Sequence, residues 1–268
     1  MPRPSEQEYA LKEGNSVIRI KFAKYGMMRY IGHLDTMRFF QRLIRRAGID
    51  AAYSEGFSPH QIMSFAQPLG VGVESRGEYM DLEVRSLSTA ADMKERMNAE
   101  CAEGIEIRDM SILPEKHEKA MASVHAADYS VVFRPGHEPE WDIYSAVEKF
   151  NSAPSVKVMK KSKKSMREVE LKELVYSLSV SPEPIGKLFP DGPLSGDVIE
   201  DNEKKVPFLT MRLSASSGDN VKPELLINAL RSLTGSYEND IERTELFITR
   251  EEIFDKDMKA LIEAGEKF

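Results

Sequence analysis

Two histidines are the first residues of this chain whose types suit chemistry. His33 opens a strongly basic helical stretch, and His60 closes the loop Gly56-Phe57-Ser58-Pro59. With Asp35 and Glu74 they could border one cleft, where a histidine pair with carboxylates serves acid–base work or holds a divalent cation. Spacing gives no metal signature, because there is no His-x-x-x-His, no EF-hand-type loop and no Gly-x-Ser-x-Gly elbow. The expectation is therefore His33, Asp35 and His60 as candidate catalytic groups, with no metal and no cofactor. A plainer role stands beside it: Asp35 lies in the first turn of a helix, where free amides favour a carboxylate.

Phosphate is the other ligand these residues suit. From Ile18 to Arg46 eight basic residues face Asp35 alone, and from Val156 to Lys172 seven face Glu168 and Glu170, in a chain whose net charge is −7. Positive charge gathered into two segments of an acidic protein is the footprint of a polyanion or an acidic partner. Two loops could present backbone amides to an anion: Gly70 to Gly77, and Ser214 to Asn220, which runs straight into a helix begun by Pro223. The candidate binding residues are Arg19, Lys21, Arg29, Arg38, Arg42 and Arg45 of the first basic segment, with Lys161 and Lys164 of the second. The loops add Ser54, Gly56, Phe57 and Pro59, then Gly70, Gly72 and Glu74, and finally Ser217, Gly218 and Asn220. Phe22, Tyr25, Tyr30 and Phe57 are aromatics available for base stacking.

These residues must be positioned by elements that the patterning defines. Val17 to Phe22 alternates apolar and basic residues, predicting a half-buried strand with Arg19 and Lys21 outward. Leu34, Met37, Phe40, Leu43, Ile44 and Ala47 form the apolar stripe of a helix, Arg38, Arg42, Arg45 and Arg46 share its other face, and Gly48 ends it. Short strands follow at Ala51 to Tyr53, Gln61 to Phe65 and Glu78 to Val84. A helix over Ser88 to Cys101, capped by Ser88 or Thr89, and a strand over Ile105 to Ile112 complete the half. The polar stretch from Pro114 to Val124 reads as a linker, placed at 117–125. The order then repeats: strand Tyr129 to Phe133, helix Pro139 to Phe150, strands Ser155 to Met159 and Leu174 to Val180, strand Phe208 to Leu213, helix Pro223 to Leu233, strand Glu245 to Thr249.

Both halves thus read β-α-β-β-β-α-β, and the expected fold is α+β with two ferredoxin-like halves in a pseudo-duplicated arrangement. The units are an N-terminal tail at 1–16, α+β units at 17–116 and 126–250, and a C-terminal helix at 251–268 with Ile253, Phe254, Met258, Leu261 and Ile262 on one side. Pro182 to Asp201 is a long insert without a pattern.

At 268 residues, 41% hydrophobic and 30% charged, the composition is that of a folded chain and excludes disordered and collagen-like classes. No apolar run is long enough to span a bilayer, no signal-type stretch opens the sequence, and the expected location is the cytoplasm. Cys101 is the single cysteine, which forbids an intrachain disulfide and an iron–sulfur cluster held by three thiolates.

Several motifs are familiar together. Arg29-Tyr30-Ile31-Gly32-His33-Leu34-Asp35-x-Met37-Arg38, Arg45-Arg46-Ala47-Gly48, Tyr53-Ser54-Glu55-Gly56-Phe57-Ser58-Pro59-His60, Pro68-Leu69-Gly70-Val71-Gly72-Val73-Glu74-Ser75 and Glu78-Tyr79-Met80-Asp81 resemble the radical-SAM-linked protein family. Lys164 to Leu171, Ser217 to Glu224 and Arg243-Thr244-Glu245-Leu246 extend the resemblance over roughly Val17 to Thr249. One departure is Gly32, where the family pattern has Ser, at the cost of a helix cap. The resemblance implies a domain fused to, or encoded beside, radical SAM proteins, with gene neighbours that point to RNA. Since Cys101 stands alone, radical chemistry would belong to the partner.

The leading expectation is a non-catalytic recognition subunit for a radical SAM enzyme, binding RNA or another phosphate-rich substrate through Arg38, Arg42, Arg45 and the 156–172 segment. One alternative is an independent enzyme using His33, Asp35 and His60 on a phosphorylated or nucleotide substrate. A third is an assembly scaffold whose tail helix docks on the partner.

Overall fold

A computed structural model describes residues 15–161, 166–188, 201–236 and 240–268. Its class is mixed α+β, built on an eight-stranded sheet. The first half comprises β1 (Ser16–Lys24), α1 (His33–Arg46), β2 (Met63–Phe65), β3 (Glu74–Val84), α2 (Ala90–Ala99) and β4 (Ile105–Ile112). After α3 (Ala120–Ser123), the second half runs β5 (Ala126–Phe133), α4 (Ile143–Ser152), β6 (Lys157–Lys161), β7 (Met166–Glu170), β8 (Val175–Pro184), α5 (Ile185–Leu188), β9 (Lys205–Ser214), α6 (Pro223–Leu233) and β10 (Leu246–Phe254). The sheet order is β4-β1-β3-β10-β5-β9-β8, with β2 also on β3, and β6 and β7 form a separate hairpin. Strands are antiparallel within each half, and the halves meet where β10 runs parallel to β3 through two register pairs, Thr249 with Glu74 and Arg250 with Ser75.

The alternation in β1 is real, but its outward face is not solvent. Ile18, Ile20 and Phe22 pack with Phe40, Leu43 and Ile44 of α1, as a half-buried strand should. Arg19, expected outside, is fully buried and held bidentate by Asp81, with Nε to Oδ1 at 2.7 Å and Nη2 to Oδ2 at 3.0 Å. Alternation shows which residues share a face, and it does not show whether another element covers that face. The cover is segment 255–268, which was expected as a helix. Instead, residues 251–254 complete β10, Leu261–Ala264 make one 3-10 turn, and the Leu261 carbonyl accepts from Arg19 at 3.2 Å. The apolar spacing that suggested a helix comes from a strand followed by a turn.

Helix α1 matches its expected span, with one change of face. Leu34 is 61% exposed and not part of the core stripe. Its C-terminal Gly48 takes φ +64, the left-handed conformation of a helix stop. Its N-cap Gly32 makes no side-chain cap, and a Cβ there would meet nothing within 4 Å. Gly32→Ser should therefore add a cap and raise stability by a few tenths of a kcal/mol in thermal unfolding. A loss of stability would contradict this geometry. Thr89 caps α2 by accepting from the Asp92 amide at 3.2 Å. Cys101, expected on this helix, follows it by two residues.

The second half has its own core, in which α4 and α6 pack together against β5, β9 and β10 through residues such as Phe150, Leu226, Leu230 and Ile248. Strand β7 is an addition to the expected order. Of the patternless insert, residues 182–188 extend β8 and form α5, and the following residues to 200 lie outside the described set. Residues 1–14 of the expected N-terminal tail also lie outside it.

Candidate functional site

The parallel junction of β3 and β10 is close because Gly77 has no side chain. A Cβ there would sit 2.8 Å from the Glu251 carbonyl and 2.9 Å from Glu252 Cα. The junction brings together charges that neither half could bury alone. Arg250 of β10, 2% exposed, donates from Nε to Glu78 Oε1 at 2.8 Å and from Nη2 to both Glu78 oxygens at 2.6 Å. It also donates from Nη1 to Gln67 Oε1 and from Nη2 to the Gln67 carbonyl, both at 2.8 Å. Lys24 is buried nearby and donates to the Ile31 carbonyl at 2.7 Å. Burial lowers its ammonium pKa, the Glu78 carboxylate opposes that shift, and Arg250 adds to it.

Above this network lies a cleft of about 320 Å³. One wall is the segment Gln67 to Gly70 with Val73, and the other is Asn220, Lys222, Pro223 and Glu224 at the entry of α6. Tyr129, Ile248 and Arg250 form its floor. The two loops expected to bind phosphate therefore come from opposite halves and meet across one cleft, through Gly70 and Asn220. Arg243 closes the wall, with an ion pair from Nε to Glu224 Oε1 and a 3.1 Å bond from Nη1 to the Val71 carbonyl. Gly70 permits this, since a Cβ there would lie 2.4 Å from Arg243 Nη1. Burial raises the Tyr129 phenol pKa, and the neighbouring Arg250 works against that shift.

The other expected binding residues are dispersed. Arg29 is buried, donates to Glu74 Oε1 at 3.1 Å, and stacks under the Tyr30 ring at 4.8 Å. Lys21 pairs with Glu252, the acceptor of a 2.6 Å bond from the Tyr79 hydroxyl. Gly72 donates its amide to the Arg29 carbonyl at 2.9 Å, so the Gly70–Glu74 loop is anchored to the first half. The cations of the β6–β7 hairpin whose side chains are described have partners within the protein: Lys157 pairs with Glu168, Lys160 donates to the Asn220 carbonyl, and Arg167 reaches Asp219 and the Gly218 carbonyl. Lys172 donates to the Phe150 and Asn151 carbonyls. Lys160 and Arg167 thus brace the 216–220 loop. Lys161 ends β6, Ser217 is exposed beside Gly218, and Lys164 lies outside the described residues.

His33, Asp35 and His60 have separate partners. The His33 ring stands edge-on to Phe65 at 5.3 Å, Asp35 faces Arg38 at 3.5 Å on the surface, and His60 Nδ1 is 2.9 Å from Ser54 Oγ. The Ser54–His60 bond closes the loop that holds Gly56 at φ +104, with Pro59 exposed and Phe57 fully exposed near its tip. Among the described residues, no three His, Cys, Asp or Glu side chains could hold a metal ion together. Burial pushes the Cys101 thiol up to about 11 from its usual value near 9. The fold thus favours the neutral thiol, and that contribution to stability is present below pH 9 and lost as pH rises to about 11. Its alkylation by iodoacetamide should still be accelerating at pH 10, and a plateau near pH 9 would contradict this burial.

Helix α1 carries the most exposed cations. Arg38, Arg42 and Arg45, at i, i+4 and i+7, share one face, and all three are exposed. Arg38 has Asp35 for company, whereas Arg42 and Arg45 meet no carboxylate among the described residues. Among the described residues the other exposed arginines are paired, as Arg46 is with Glu100, Arg76 with Glu251, Arg85 with Asp50, and Arg108 with Glu106.

Compared with protein-family models, residues 17–223 match the family described as "Uncharacterized protein conserved in bacteria (DUF2344)". The chain belongs to that family. The DUF2344 match takes in the α1 face, the loop around Phe57, and both cleft walls as far as Pro223, while Arg243 and Arg250 follow it in the chain. No curated protein matches this DUF2344 chain. Among solved structures it is similar to a chain of "Crystal Structure of a Cbf5-Nop10-Gar1 Complex", at 12% identity and a TM-score of 0.43, over 90% of this chain and 50% of that one. The protein therefore spans about half the length of that structural relative.

Lys222, Glu224, Arg243, Arg250, Glu78 and Gln67 were not among the expected site residues. One signal for them was available. Arg250 lies between the apolar runs Leu246-Phe247-Ile248 and Ile253-Phe254 of one strand, and a charge in such a strand needs a buried partner.

Proposed function

We propose that this DUF2344 protein recognises RNA, or a similarly phosphate-rich substrate, for a radical SAM partner that performs the chemistry. The observation that carries the reading is the α1 face, where Arg42 and Arg45 meet no carboxylate among the described residues, in a chain of net charge −7 whose other exposed arginines are largely paired. Unpaired cations at helical spacing follow a phosphate backbone. The exposed aromatics Tyr30, Tyr53 and Phe57 on the same half supply stacking faces that every base can use. The single cysteine supports leaving any iron–sulfur cluster to the partner. We also read the two halves as ferredoxin-like units: within each, the strand order runs fourth, first, third, second once the β6–β7 hairpin is set aside.

Fluorescence anisotropy with labelled single-stranded RNA across a salt series tests the reading. Wild-type affinity should fall steeply with salt, and R42E/R45E should bind about 10- to 100-fold more weakly with a log–log slope shallower by about 1.4, about 0.7 for each lost phosphate contact. Salt-insensitive binding, or an unchanged slope in R42E/R45E, would refute it. The partner is checked by co-purifying the tagged native chain. Recovery of a radical SAM protein at salt that strips RNA is expected, and a chain that emerges alone counts against the partnership.

A further inference from the structure

We infer that the cleft between the halves is a second binding site, independent of the α1 face, and that it receives a phosphate monoester. Its size is the first argument, because about 320 Å³ is room for one sugar-phosphate or mononucleotide and falls at the small end of ligand pockets. Its shape is the second. Tyr129, Ile248 and Arg250 are 8%, 2% and 2% exposed, so the floor is closed and the ligand enters from one side.

Charge and hydrogen bonding define what enters. Three cations line the cleft, Lys222, Arg243 and Arg250, against the single carboxylate of Glu224. Arg250 is balanced by Glu78 beneath the floor and Arg243 by Glu224, which leaves the Lys222 charge uncompensated. Three donors on these walls have no internal acceptor among the described residues: the Lys222 ammonium, the Asn220 side-chain amide and Arg243 Nη2. A monoester phosphate presents three acceptor oxygens and a charge near −2, an acceptor for each of these donors. Placing the Arg243 group depends on Gly70, whose missing Cβ leaves space for the guanidinium. Leu69, Val73 and Ile248 give the rest of the ligand an apolar wall.

The phosphate could belong to a free small molecule or to the 5′ end of a strand, and calorimetric titration separates the two. The probes are ribose 5-phosphate and AMP, with ribose and adenosine as their uncharged counterparts, and a tetranucleotide carrying either a 5′-phosphate or a 5′-hydroxyl. Wild-type protein should bind ribose 5-phosphate and AMP and ignore ribose and adenosine. Lys222 is exposed and makes no internal bond, so Lys222→Glu should leave thermal unfolding unchanged and weaken the phosphorylated probes at least tenfold. R42E/R45E should bind them as wild type does, so the site stands even if the α1 face binds nothing. Equal binding of phosphorylated and unphosphorylated probes, no binding of either, or an unaffected Lys222→Glu would overturn the proposal. A tetranucleotide that binds tenfold tighter with its 5′-phosphate than AMP assigns the ligand to a strand end, and parity assigns it to a free monoester.

Discussion

Arg250→Met should cost about 3–5 kcal/mol of stability, the largest loss expected from any single substitution in this chain. The reason lies in what it leaves behind. Glu78 is 5% exposed and takes three of the five hydrogen bonds that Arg250 donates, so methionine strands a buried carboxylate with Lys24 as its nearest remaining cation. The Gln67 side chain and carbonyl lose an acceptor role at the same moment. In a chain of this length the fall in melting temperature is about 6–20 °C. Removing both charges together should hurt less than the sum, because an apolar pair of similar volume needs no counter-charge. Thermal unfolding of Arg250→Met, Glu78→Leu and the double variant measures this directly, and strict additivity would show that the two groups do not depend on one another.

Asp81→Ala is the second large effect, again about 3–5 kcal/mol. Asp81 accepts from Arg19 twice and from the Ala120 amide at 2.7 Å, so alanine leaves a fully buried guanidinium with only the Leu261 and Glu118 carbonyls. This loss should be local as well as global. Hydrogen exchange should quicken at the Ala120 amide and in residues 260–266, which pack over Arg19, before it changes in α4 or α6. Asp81→Asn keeps an acceptor and should recover part of the stability. Uniform exchange across the chain would show that Asp81 does not hold the cover in place.

Much of this architecture is legible in the residues themselves. The α1 span follows from apolar spacing and a glycine stop, α6 from Pro223 to Leu233 needs only its proline and its stripe, and the alternation of β1 predicts which residues share a face. What escapes is long-range. Arg19 and Lys21 look solvated because the segment that covers them lies more than 200 residues away, and no local pattern announces it. For the same reason the tail reads as a helix: Ile253, Phe254, Met258 and Leu261 fit a helical stripe, although four of the bonds around Asp255 and Lys259 belong to a turn. The cleft was half visible. Glycine- and serine-rich loops pointed to Gly70 and Asn220, whereas Arg243 and Arg250 enter it only because β10 docks beside β3. Two cations of the β6–β7 hairpin, Lys160 and Arg167, look like a ligand surface in sequence and hold carbonyls of the 216–220 loop, since charge counts carry no information about internal acceptors.

The cover over Arg19 also sets a timetable for folding. Arg19 and the Leu261 carbonyl that receives it are 242 positions apart, the Ala90 amide waits for the Phe268 carbonyl, and Ile112 exchanges two bonds with Glu266. At synthesis rates of about 5–20 residues per second, β1 leaves the ribosome about 10–50 s before its lid exists. Through that interval the Arg19–Asp81 pair lacks the Leu261 carbonyl and the segment that covers it. Its completion waits for residues 261–268, which follow the second half in the chain, so the first half is finished only after the second has been made.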